Sequence, residues 1–354
     1  MSSAIKRYGF INAKLRARLG KLLSEDYFNR LINAASMSEA VPLLKESDYG
    51  SAEQVYSKTG DLKMAELELY RAETELYKEV QSYLGPSLAE FVNSLLLRYE
   101  IESVKNATRL WFDRAVRGRD ISYGLGYLCR NKIIRQLDLD GIIHAEDSAA
   151  VQKVLSGTPY APVFAADMEQ VETDKALFTL EMDLDALFYE NLHLAGKKLN
   201  SKDAAIARRV IGLEIDLENI GRAVRLRMFY KLPAEELLRY TVKGGNKVDR
   251  SAISKAGNAG SDSEILAALI ETAYPGFSSF LAEGPNIQRR MVLVESLLAD
   301  LLQREVKRLL LGNPFTIGII LAYFILKKME IKRLMTILNA KNYNMPAELI
   351  RGKI

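Results

Sequence analysis

The chain has 354 residues, 48% of them hydrophobic, with 22 Gly and 9 Pro, enough apolar material for one large core or several small ones. Its 49 basic and 45 acidic side chains nearly cancel to a net +4, which excludes the single-sign field expected of a dedicated nucleic-acid binder. The only cysteine, Cys129, excludes an intramolecular disulfide and suits a reducing, cytoplasmic compartment.

At the N-terminus, Lys6, Arg7, Asn12, Lys14, Arg16 and Arg18 interrupt any apolar run of a secretory signal. Tyr8, Ile11, Leu15, Leu19 and Leu22 step by three and four residues, so the stretch reads as an amphipathic first helix packed on its own unit rather than an RNA- or lipid-binding arm. A short helix follows. Ser36 and Glu39 have the spacing of a capping box, the helix ends in Leu44, and Tyr49 stands five residues on, beside Gly50. The next long helix carries Glu100-Ile101, and composition then shifts to a linker over Gly118 to Gly126.

The short-helix ending returns as Leu155 with Tyr160, flanked by Pro159 and Pro162. Beyond it, Ile206, Val210, Leu213, Leu217, Ile220 and Val224 predict a helix from about Asp203 to Tyr230, roughly 40 Å long at 1.5 Å per residue. It holds Glu214-Ile215. Asp216, Asn219, Arg222 and Arg225 form a ridge at i, i+3 spacing beside the apolar stripe, with Arg227 next to it. Such a ridge is either a surface ion-pair ladder or a polar contact strip for a partner, since arginine is favoured at interfaces. The candidate partner-binding residues are therefore Arg222, Arg225, Arg227, Asp216 and Asn219, together with the recurrent Tyr49, Tyr160 and Tyr274.

Pro233-Ala234-Glu235-Glu236 starts a further helix, and Pro346-Ala347-Glu348 repeats that start near the C-terminus. Lys243 to Ser263, with Gly244, Gly245, Gly257 and Gly260, is expected to be a mobile surface loop. The third short helix opens with Ser261 and Glu264 and leads to Leu269 and Tyr274, with Pro275 and Gly276 turning the chain. Phe315 to Leu326 is the most apolar run, yet it falls short of the roughly 20 residues that span a bilayer, so it predicts a buried core helix without direct membrane insertion. Glu330-Ile331 lies just beyond.

The tyrosines recur at spacings of 111 and 114 residues, and the acid-isoleucine pairs at 114 and 116. Two markers with one period predict an all-α chain of three similar helical units, 1–120, 121–242 and 243–354. No catalytic set accompanies them. A phosphate loop is missing, Gly124-Leu125-Gly126 lacks the third glycine and preceding strand of a dinucleotide fold, and two histidines, His144 and His193, with one cysteine cannot assemble a His/Cys metal cage. Neither a catalytic residue, a cofactor nor a metal is expected.

Three segments carry a family resemblance: Tyr8-Gly9-Phe10-Ile11-Asn12-Ala13-Lys14-Leu15-Arg16-Ala17-Arg18; Glu214-Ile215-Asp216-Leu217-Glu218-Asn219-Ile220; and Asn313-Pro314-Phe315 leading to Leu321-Ala322-Tyr323 and Lys327-Lys328-Met329-Glu330-Ile331-Lys332. Over essentially its whole length the chain resembles the C subunit of archaeal-type and bacterial V-type ATPases, the relative of the d subunit of the eukaryotic vacuolar ATPase. The resemblance implies three helical units about a pseudo-threefold axis, arranged as a funnel. It also implies a non-catalytic joint that binds the shaft subunits D and F and the proteolipid rotor ring, on the cytoplasmic side and peripheral to the membrane. A generic helical-repeat adaptor outside any ATPase is the other reading.

Overall fold

In a computed structural model describing residues 3–228, 230–271, 273–274 and 287–352, the chain is helical, with no strand among the described residues. In order these are α1 (Ser3–Leu19), α2 (Glu25–Asn33), α3 (Met37–Ala40), α4 (Gly50–Thr59), α5 (Leu62–Ser82), α6 (Pro86–Ala115), α7 (Leu139–His144), α8 (Ser148–Val154) and α9 (Ala161–Asp174). There follow α10 (Phe178–Lys197), α11 (Ser201–Met228), α12 (Ala234–Arg239), α13 (Arg250–Gly257), α14 (Asp262–Leu266), α15 (Ile287–Leu311), α16 (Gly318–Asn342) and α17 (Ala347–Arg351). The chain forms two compact units, one of Met1–Tyr8 with Tyr189–Ala322, the other of Gly9–Phe188 with Tyr323–Ile354.

In the second of these, α2 shows how local sequence makes core. The Ser24 hydroxyl accepts the Tyr27 N–H at 3.2 Å, satisfying a free donor of the first turn, and Glu25 and Asp26 lie at the positive end of the helix dipole. Tyr27, Phe28, Leu31 and Ile32 then share one buried face. They pack with Leu44, Tyr49 and Leu69, and with Leu334, Ile337, Leu338 and Ile350 from the other end of the chain. Each fully buried leucine or isoleucine is worth about 1.5–3 kcal/mol, so the C-terminal helix supplies a large part of what holds the N-terminal helices. Helices α5 and α16 run antiparallel: Asn339 donates to Glu66 at one end, and the Tyr77 and Phe324 rings stack at 3.8 Å at the other.

In the first unit, Ile220 and Val224 of α11 pack with Leu237, Ile253, Ala256, Leu266, Leu269 and Ile270. The fit between α12 and α13 depends on Gly257, where a Cβ would come within 2.5 Å of the Ala234 Cα.

Several sequence expectations change here. Lys243 to Ser263 is not a mobile loop: it holds all of α13, and Val248 is buried. Its glycines serve close approach, since a Cβ on Gly245 would fall 2.3 Å from Asp216 Oδ1. The expected capping boxes are shifted. Glu39 and Glu264 take the N–H of Ala35 and Gly260, one residue ahead of the capping serine, and only Ser261 caps with its own side chain, while Ser36 bonds Ser38. The apolar run after Pro314 first makes a turn, in which Asn313 accepts the Phe315 N–H, so α16 starts at Gly318. Ile317 to Phe324 are buried, and no described helix is long and apolar enough to cross a membrane. Pro275 and Gly276 lie outside the described residues.

Candidate functional site

Each of the three recurrent tyrosines meets a carboxylate on a long helix. Tyr160 donates to Glu100 on α6 at 2.6 Å, Tyr274 to Asp216 on α11 at 2.7 Å, and Tyr49 to Glu330 on α16 at 2.5 Å. The same carboxylates also accept backbone N–H groups from the stretch of chain that leads into the short helices. Ile134 and Arg135 donate to Glu100, Lys247 and Val248 to Asp216, and Leu23 to Glu330.

Eleven residues further along each long helix stands a second donor. Eleven residues are close to three helical turns, so both groups share a face. Trp111 Nε1 donates to the Ala145 carbonyl at 3.1 Å, Arg227 to the Ala259 carbonyl at 3.1 Å, and Lys341 to the Ala34 carbonyl at 2.6 Å. Each of these alanines lies fifteen residues before its tyrosine. One device therefore occurs three times: a helix with an acceptor and a donor three turns apart clasps an alanine carbonyl and a tyrosine hydroxyl. The donor's chemistry varies among tryptophan, arginine and lysine, while the geometry does not.

Burial, reinforced by the adjacent carboxylate, pushes the hydroxyls of Tyr49, Tyr160 and Tyr274 well above the usual tyrosine range, so each remains a donor. Burial also raises Asp216, against the hydrogen bonds from Tyr274 and the Val248 and Lys247 backbone that favour its charged form. A fourth carboxylate of similar kind, Asp203 at the start of α11, accepts from the Tyr8 hydroxyl and the Ile317 N–H.

Among the sequence candidates, Asp216 and Asn219 are almost fully buried and face inward. Asn219 makes a two-way bond to Val242, its amide donating to the carbonyl and its oxygen accepting the N–H, both at 2.9 Å. Arg222 bonds the Tyr240 carbonyl and Glu218. The ridge thus fastens residues 240–248 back along α11. Tyr49, Tyr160 and Tyr274 are buried in the clasps, Arg227 is half-buried on Ala259, and Arg225 alone of the eight is exposed. Sequence reasoning paired the tyrosines with no carboxylate, and in the second repeat it marked Glu214, whereas Tyr274 bonds Asp216 two residues on. It also passed over Trp111 and Lys341. The signal for that end was Ala-x-Ser/Asp at Ala34, Ala145 and Ala259, each two residues ahead of a helix cap.

The clasp carboxylates are each met by three or four donors, and no cluster of metal-ligating side chains occurs among the described residues. The model of the ATP synthase (C/AC39) subunit family matches residues 11–353. The chain belongs to this family. Within the AC39 family, it is 25% identical over 349 residues to the C subunit of the A-type ATP synthase of Methanocaldococcus jannaschii, covering 98% of this chain and 85% of that one. To the C subunit of the V-type ATP synthase of Thermus thermophilus it is 26% identical over 352 residues, covering 98% of both. The corresponding A-type C subunit of Methanosarcina acetivorans is 23% identical over 353 residues, 98% of this chain and 92% of that relative. An AC39 member whose matched span includes all three clasps carries the repeat inside the family domain rather than as an addition to it.

Proposed function

We propose that this chain is the non-catalytic central-stalk subunit of a rotary V/A-type ATPase, joining the shaft subunits D and F to the proteolipid rotor ring on the cytoplasmic face of the membrane. The observation that carries the reading is the order of the clasps. The helix with Glu100 holds the segment ending in Tyr160, the helix with Asp216 holds the segment ending in Tyr274, and the helix with Glu330 holds the segment ending in Tyr49. Each block is fastened to the one before it, and the last is fastened to the first. A cyclic order of three is what blocks 1–120, 121–242 and 243–354 need in order to surround a shaft as a pseudo-threefold funnel. A part that transmits torque must resist slipping, and a buried carboxylate with its donors in place fixes one arrangement and is costly to break from one side. ATP hydrolysis then belongs to the soluble head and ion movement to the ring, and Arg225 is the ridge residue left to meet a partner.

The experiment deletes the subunit and assays membranes and soluble fraction separately. ATPase activity should persist in the soluble fraction, while ATP-driven ion uptake by vesicles should vanish and return when the purified chain is added back. Vesicles that pump at the parent ratio of ions to ATP without this chain overturn the proposal.

A further inference from the structure

Residues 1–24 contain six basic side chains and no acidic one. Four of the six, Lys14, Arg16, Arg18 and Lys21, fall in the unit of Gly9–Phe188 and Tyr323–Ile354, on the later turns of α1 and just past its end. The apolar side of this stretch, Ile11 and Leu15, is buried, so the opposite face is turned to solvent. Along that face Phe10, Ala13 and Ala17 step by three and four residues, and all three are exposed. Phe10, 64% exposed, leans on Tyr83, 39% exposed and just past the end of α5, with ring centroids 5.2 Å apart. The Lys14 ammonium lies 4.2 Å from the Tyr83 centroid and donates to its hydroxyl at 2.8 Å. The aromatic pair is thus braced from one side by a cation and open on the other.

We propose that this face of α1 binds an acidic segment of a partner protein, which lays an apolar side chain on Phe10 and Tyr83 and places carboxylates on Arg16 and Lys21. The sign follows from what the cations already touch. Lys14 and Arg18 share one carboxylate, Glu79, at 3.0 and 2.6 Å. Arg16 donates to Asn12 at 3.2 Å and meets no acid, and the Lys21 ammonium has no partner, among the described residues. Of the other nearby acids, Glu75, one turn before Glu79, pairs with Lys78, and Glu25 pairs with Arg333. Asp26 lies in the first turn of α2, at the positive end of that helix's dipole. Four cations against one shared carboxylate leave a local excess of positive charge, which complements an acidic partner. Aromatic side chains and arginine are also what protein interfaces enrich. A bilayer is the poorer occupant, because insertion takes an apolar stripe and α1 has buried its own in Ile11 and Leu15.

The test places a photo-crosslinking phenylalanine analogue at Phe10, and separately at Ala17, of the full chain in the assembled complex, then sequences the crosslinked peptide. The expected product is a segment of another protein in which Asp and Glu outnumber Lys and Arg. Arg16→Glu with Lys21→Glu, both on exposed side chains, should lower the crosslink yield about fivefold or more, and the parent yield should fall as salt is raised. Arg16→Gln with Lys21→Gln should lower it less, which separates lost attraction from added repulsion. No crosslink from either position overturns the proposal. So does a crosslink to lipid, to nucleic acid, to a second copy of this chain or to a segment without acidic excess, and so does a yield indifferent to the charge reversal. The coupling role is read separately, by ion uptake: a parent chain that restores uptake but gives no such crosslink sinks this inference alone, and an acidic crosslink without restored uptake sinks the coupling role alone.

Discussion

Removing one hydroxyl from the clasp at Glu100 should destabilise the fold measurably. Glu100 is 1% exposed and accepts four hydrogen bonds: from Tyr160 at 2.6 Å, the Ile134 and Arg135 N–H groups at 2.8 and 2.6 Å, and the Arg135 guanidinium at 2.8 Å. Tyr160→Phe deletes one bond to a charged acceptor and leaves three, a loss of about 1.5–3 kcal/mol. Glu100→Leu is harsher. It strands the Tyr160 hydroxyl and two backbone donors, while Arg135, with 41% of its side chain exposed, can turn to water. The expected cost is about 3 kcal/mol or more, since each of the three stranded donors carries about 1–3 kcal/mol of desolvation. Urea unfolding with unchanged m-value measures the loss, and amide hydrogen exchange localises it. Exchange at Ile134 and Arg135 should accelerate in Glu100→Leu and much less in Tyr160→Phe, because the second variant keeps their acceptor. Tyr49→Phe and Tyr274→Phe should cost amounts similar to Tyr160→Phe. If Tyr160→Phe lies within about 0.5 kcal/mol of the parent, the range of ordinary surface substitutions, the clasp contributes nothing and the reasoning fails.

Three further outcomes are expected. Hydrogen bonds from Arg18 and then Lys14 lower the Glu79 carboxylate from 4.5 to about 2, against its desolvation. A depressed acid contributes stability above its unfolded pKa and loses it as pH falls, so the stability gap between parent and Glu79→Gln should close between about pH 4.5 and 2, and a gap independent of pH refutes the assignment. Gly257→Ala should destabilise by about 1–3 kcal/mol through the α12–α13 contact, checked by the shift in urea midpoint; an unchanged midpoint means the helices have room. Arg225→Glu should weaken binding of the shaft subunits in a pull-down while leaving the circular dichroism and thermal midpoint of the isolated chain as in the parent. Collapse of the fold would instead make Arg225 a structural residue.

Much of this was available from the one-dimensional pattern. The helical period of Val210, Leu213, Leu217, Ile220 and Val224 is local, set by backbone geometry, and α11 came within two residues of its expected ends at both termini. The tyrosine spacing of 111 and 114 was equally visible, because all three positions carry the same residue type. What the tyrosines touch was not. A hydrogen bond such as that from Tyr49 to Glu330 joins residues 281 apart, and no spacing rule predicts the partner across such a distance. In the second repeat the neighbouring Glu214 and Asp216 are both acidic, and only the rotation of α11 about its axis decides which one faces Tyr274. The donors three turns further on were hidden for a different reason: Trp111, Arg227 and Lys341 share nothing but an N–H, so they have no common letter. Composition also misled at Lys243 to Ser263, where glycine reports only that no Cβ is present. The folded chain uses that missing Cβ to bring Gly245 against Asp216 and Gly257 against Ala234. Period and residue type are properties of the chain; which face of a helix is buried, and against what, is decided when distant segments pack.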